Sequence, residues 1–169
     1  MLYESGCRNV LQFHGAKVVT SPSHERHMEF ERYMREHGAG VTSVELLWNR
    51  FDTQYFKDVT RQVLAGNPDI DGVFGADLLM AYCIKAAYSQ GRKVPDDLKL
   101  VAYDGTYVTE TVTPEITAIE QPVPQIAREL VGIICDMIEG KELKDHKVIL
   151  DVKVKKGATT LNEFAEMAK

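Results

Sequence analysis

Five side chains in this sequence have the chemistry to hold a small hydroxyl-rich molecule: Arg26, Phe51, Asp77, Asp104 and Gln121. A carboxylate and a guanidinium can each hold adjacent hydroxyls through paired hydrogen bonds. An amide both donates and accepts, and a flat ring covers the apolar face of a sugar. Asp104 is central. It sits in KLVAYDGT, residues 99–106, where four residues suited to a buried strand run straight into Asp104-Gly105. In an open α/β sheet, ligands are held outside the carboxyl ends of the strands, which is where this carboxylate falls. The others also follow apolar strand-like runs. If those strands are parallel, all their loops open on one edge.

Each residue also has a plainer reading. Asp77 can cap the helix that begins there. Asp104 before Gly105 can be turn chemistry. Arg26 can be a solvated helix residue, Phe51 can be core, and Gln121 before Pro122 carries little signal of its own. Enzyme signatures are missing: no phosphate-binding glycine loop, no nucleophile elbow and no complete dinucleotide fingerprint. No catalytic residue, cofactor or metal is therefore assigned. His24 and His27 are spaced i, i+3, not the i, i+4 of a zinc-protease helix, and are read as two exposed helix histidines.

The elements that must position these residues alternate. Residues 10–13 form a strand ending at His14-Gly15, and Val18-Val19 leads to a Ser21 cap with Pro22 in the first turn. The helix should run to about His37, carrying Phe30, Tyr33 and Met34 at helical spacing. A strand over 44–48 leads to a loop in which Asp52 or Thr53 caps a helix broken by Gly66-Asn67-Pro68. A strand over 72–76 precedes a helix with Met80, Cys83, Ile84 and Ala87 on one face. After strands at 100–103 and 117–120, residues 122–139 make the clearest amphipathic helix, with Gly140 at its end. Residues 148–154 alternate as a final strand. The pattern predicts an α/β fold: a mainly parallel sheet with helices on both faces.

The chain has 169 residues and a net charge of −5, with 44% hydrophobic and 27% charged residues, so it is expected to be an ordinary globular domain. An acidic domain is a poor counterion for phosphate backbones, so no direct nucleic-acid contact is expected. No apolar run is long enough to span a membrane. Three scattered cysteines suggest reduced, mostly buried thiols in a cytoplasmic protein. The opening MLYESGCRNV reads as a helix end followed by a strand, which suggests the later part of a longer protein.

Laid out in order, these residues resemble the later half of the lactose-repressor (LacI/GalR) family of bacterial transcription regulators. Gly6-Cys7-Arg8-Asn9-Val10 is similar to that family's glycine-histidine-arginine entry into a strand, with Cys7 in the histidine's place. SPSHERHMEF resembles its arginine segment, and VFGADLLMA its F-A-x-N-D-x-M-A stretch. KLVAYDGT resembles V-V-G-F/Y-D-D, ITAIEQP resembles L-T-T-V-x-Q-P, and VKKGATT resembles the closing V-x-R-x-S-T. The resemblance implies a type I periplasmic-binding-protein fold, mostly its C-terminal lobe, over residues 1–160, with 161–169 as a tail. It puts Arg26 and Asp104 at the effector-binding arginine and aspartate. Lobe crossings are expected near Gly6, Gln121 and Lys147, and the 122–139 helix is expected to belong to the other lobe. Asp77 stands where the family usually has asparagine, so it accepts hydrogen bonds but cannot donate; it could pair with Arg26.

The expected function is effector sensing: a sugar or sugar phosphate bound at the five residues, controlling DNA binding through a helix-turn-helix domain absent from this chain. A transport sugar-binding protein of the same fold, or a small α/β enzyme, are the alternatives. The apolar face of the 122–139 helix is expected to fold back onto the sheet or to meet a second chain, giving a homodimer.

Overall fold

The computed structural model describes residues 1–15, 22–47, 52–142 and 147–160. Among these residues, six strands form one sheet in the order β2-β1-β3-β4-β5-β6. In chain order the elements are β1 (Asn9–His14), α1 (Pro22–Glu36), β2 (Gly40–Glu45), α2 (Thr53–Gly66), β3 (Gly72–Ala76), α3 (Asp77–Ser89), β4 (Lys99–Asp104), β5 (Thr117–Glu120), α4 (Val123–Ile138) and β6 (Lys153–Lys155). A 3-10 turn, Tyr107–Glu110, lies between β4 and β5. The first five strands pair in parallel, and β6 pairs antiparallel to β5. All five parallel strands therefore end on one edge, where a polar residue following a strand is gathered with the others.

Strand alternation splits the core in two. Leu11, Phe13, Val73, Leu100 and Ala102 face α2 and α3. Val10, Phe74 and Val101 face α1 and the N-terminal turn, with Tyr103 packed partly against them. Side chains on a strand alternate faces, so a sheet covered on both sides needs apolar residues at successive positions. That is why 100–103 reads as an unbroken apolar run. The helices sit on both faces, in agreement with the alternating pattern.

Several boundaries differ from expectation. The second strand begins at Gly40, after a three-residue turn past the end of α1, because Val41 and Val44 pair along β1 from its first residue; Trp48 lies outside the described residues. The Val18-Val19 pair and the Ser21 cap also lie outside them. Asp52 does cap α2, its carboxylate accepting from the Tyr55 N–H at 2.7 Å. Of the expected 148–154 strand only Lys153 and Val154 pair with β5, together with Lys155 beyond it, since β5 is four residues long and cannot extend the ladder. The residues before Gly6 pack on this lobe: Leu2 is buried beside Val10 and Met34.

The largest departure is α4. It does not fold back onto the sheet: none of its residues is buried, and Leu130, Val131, Ile134, Met137 and Ile138 are exposed. Its apolar stripe is as regular as the sequence indicates, but among the described residues no strand of the sheet lies under it.

Candidate functional site

Asp104 ends β4 with φ at +94°, in the left-handed region that a non-glycine residue rarely occupies. Such a conformation costs about 1–3 kcal/mol and persists only where surroundings over-determine it. Here they do. The Gln121 N–H donates to the Asp104 carbonyl at 3.1 Å, and the Gln121 side-chain amide donates to the Asp104 carboxylate. Gly105 follows, also at positive φ, and a Cβ there would lie 2.7 Å from the Glu120 Cα. Only glycine allows β4 and β5 to end this close together.

Asp77 secures the same turn from below. It is 4% exposed, and its two carboxylate oxygens accept from the backbone N–H groups of Gly105 (3.2 Å) and Thr106 (2.6 Å). The sequence offers three roles for it: helix cap, ligand contact or partner of Arg26. The residue preceding α3 is Ala76, which has no side-chain cap to offer that helix. The observed partners of Asp77 are two amides of a neighbouring loop, not Arg26. Lys155 of β6 adds a further tie, its ammonium donating to the Gly105 carbonyl at 3.3 Å and pairing with Glu110 at 2.6 Å.

Arg26 lies in the second turn of α1, half-buried, with its guanidinium carbon 4.0 Å from the centre of the Tyr103 ring. Arg26, Tyr103, Asp104 and Gln121 line one cavity of about 700 Å³, closed on the other side by Glu129 and Leu130 of α4 and by residues 148–150. This volume suits a mono- or disaccharide-sized guest, and a few fixed polar groups in an apolar surround are typical of such sites. Burial pushes the Asp104 carboxyl above its usual range; Gln121 and Arg26 oppose the shift, and Asp77 adds to it. Burial also raises the Tyr103 phenol, with Arg26 opposing.

Three of the five sequence candidates thus meet at one cavity. Asp77 sits behind it, holding the loop, and Phe51 lies outside the described residues. Tyr103 and Glu129 are lining residues that the sequence did not single out. Tyr103 reads as strand filling, although its place directly before Asp104, at a strand's end, is the available signal. Glu129 arrives on α4, whose position no local pattern reveals.

The histidines also differ from expectation. His27 is not exposed: it is 2% exposed, hydrogen-bonded to Gln12 at 2.8 Å and stacked on His14 with ring centroids 3.9 Å apart. Stacked rings cannot converge on one ion, and no group of three metal-type ligands occurs among the described residues. Cys7 and Cys83 are buried and Cys135 is exposed, all three as free thiols. Burial pushes the Cys7 thiol up to about 12, which makes it inert.

Residues 1–160 match the periplasmic binding protein-like domain family. The chain belongs to that family. The ribose operon repressor of Halalkalibacterium halodurans is 30% identical over 160 residues, which cover 94% of this chain and 47% of that protein. The chain spans about half the length of the curated relatives it matches over 160 residues. A periplasmic binding protein/LacI transcriptional regulator from Alkaliphilus metalliredigens, complexed with D-xylulofuranose, has a TM-score of 0.81 at 22% identity, covering 95% of this chain and 59% of that one. A LacI family regulator from Arthrobacter sp. FB24, in complex with lactose, has a TM-score of 0.80 at 18% identity, covering 95% and 59%. Ribose and sucrose operon repressors are among these curated relatives. No described helix of this periplasmic-binding-protein-like domain is long and apolar enough to cross a membrane.

Proposed function

We propose that this domain senses a small neutral sugar at the carboxyl edge of its sheet. In the complete protein, occupancy would control a DNA-binding domain outside this chain. The observation that carries the reading is Asp104, held in a strained backbone conformation at the mouth of a 700 Å³ cavity that Arg26 and Gln121 also line. Arg26 donates to one hydroxyl pair while Asp104 and Gln121 accept from another. Phe51, placed by sequence alone, supplies the ring that covers the sugar's apolar face. Asp77 acts through the Gly105-Thr106 turn.

The described lining sets Arg26 against two carboxylates, Asp104 and Glu129, which favours a neutral guest over a phosphorylated one. Operon repressors among the relatives favour a cytoplasmic regulator over a transport protein of the same fold. The reading assigns no catalytic step, cofactor or metal. A ligand shifts DNA affinity only by its preference for one lobe arrangement over another.

The test is a thermal-shift panel of D-ribose, D-xylulose, lactose, sucrose and ribose 5-phosphate, run on this chain and on a version extended upstream. A rise with one neutral sugar that disappears in Asp104→Ala and in Phe51→Ala supports the reading. No rise with any sugar in the extended version overturns it. A rise with the phosphate alone overturns the neutral-guest assignment.

A further inference from the structure

Tyr103 belongs to a column of rings that runs from beneath α1 to the cavity. Phe30 of α1 stacks on Phe74 of β3 with centroids 4.7 Å apart and planes 9° apart. Phe74 meets Tyr103 of β4 at 5.6 Å. Tyr103 in turn carries the Arg26 guanidinium on its face at 4.0 Å. Phe30 and Arg26 lie four residues apart on α1, so they share one face of that helix. The helix therefore grips the column at both ends, through a ring at one and a cation at the other.

We infer that Tyr103 is the positioning residue for Arg26: its ring holds the guanidinium flat, so that the N–H edge is presented to the cavity beside Asp104. An unsupported arginine spreads over many rotamers, and a ligand must order it on binding. A guanidinium lying on a ring is already restricted; the Tyr103 hydroxyl also hydrogen-bonds Arg26, and the remaining donors are available to hydroxyl oxygens. Other groups acting on the neighbouring carboxylate are the Gln121 amide and Asp77. The role in binding rests on reading this cavity as an effector site; the positioning itself does not.

The test uses the ligand-free chain and two probes, the Arg26 Nε–Hε resonance and the titration of the Asp104 carboxyl carbon. In the wild-type protein the ring current should move the Arg26 Hε upfield of an unrestrained arginine. Tyr103→Leu should return it to the unrestrained position and move the Asp104 midpoint upward, because the opposing cation is no longer held close. Tyr103→Phe, which keeps the ring and removes the hydroxyl that hydrogen-bonds Arg26, should preserve the ring-current shift and move the Asp104 midpoint less than Tyr103→Leu does. A Leu variant with both values unchanged overturns the inference, as does a Phe variant that loses both. Should Tyr103→Leu fail to fold, Arg26→Lys alters only a half-buried surface residue. It should raise the Asp104 midpoint, since a compact ammonium does not lie flat on the ring; an unmoved midpoint overturns the inference. An extended version that answers to no sugar in the panel overturns the sensing reading alone.

Discussion

Strand β4 and the α4 arm both carry regular apolar side chains but meet opposite fates. Leu100 in β4 is 0% exposed, whereas Ile138 in α4 is 81% exposed. Amphipathicity states that a face must be covered; it does not state by what. The strands β1, β3 and β4 have neighbours on both edges and helices on both faces, so their apolar runs close on one another. The arm leaves the sheet at Gln121 and meets the lobe at the rim of the cavity.

Substitutions sharpen that contrast, the largest effect first. Leu100→Ala removes buried methyl groups from a packed layer and should cost about 2–5 kcal/mol in urea unfolding. Gly105→Ala meets both a positive φ and a contact with the Glu120 backbone, and should cost about 1–3 kcal/mol. It should also disorder the Asp104 turn, visible as lost amide dispersion for residues 104–106. Asp77→Asn leaves one of the two turn amides without an acceptor and should cost about 1–3 kcal/mol, read in the same unfolding experiment.

On the arm, Ile138→Ala should change stability by no more than about 0.5 kcal/mol. A cost comparable to that of Leu100→Ala would break the comparison and place the arm in a core. The exposed stripe should instead show itself in association. The chain is expected to sediment as a homodimer, and Val131→Glu with Ile138→Glu should return it to a monomer.

The smallest effect concerns pH. The Asp104 carboxyl titrates above its ordinary range when folded, so folding binds a proton there that the unfolded chain does not. Its ionisation therefore opposes folding. The cost is absent below the ordinary carboxylate range and complete above the raised folded value. Asp104→Asn removes it and tolerates the same backbone conformation. That variant should be slightly more stable than wild type at neutral pH, equal to it at about pH 3, and blind to sugar.

Much of the site is legible in the amino-acid order, because it depends on local chemistry. KLVAYDGT shows a strand, a carboxylate and a turn in eight residues, and β4 ends at Asp104 as that order requires. ITAIEQP delivers Gln121 in the same way, at the end of β5. Asp77 is legible as a polar residue at a strand's end, but its partners lie 28 and 29 residues away, beyond any local pattern. His27 misleads for the same reason: the ring that covers it is on β1, and helical spacing alone cannot tell a buried face from a wet one.

By itself, then, the sequence determined the element order, the parallel sheet, the two-sided core and the strand-end placing of Asp104 and Gln121. These follow from periodicity and turn chemistry, which act over a few residues. Only the tertiary structure decided that Asp77 binds backbone amides, that Tyr103 lies under Arg26, that His27 is buried, and that α4 stands clear of the sheet. Each of those depends on which distant surfaces meet, and burial and hydrogen-bond satisfaction are properties of the pair and not of either stretch alone.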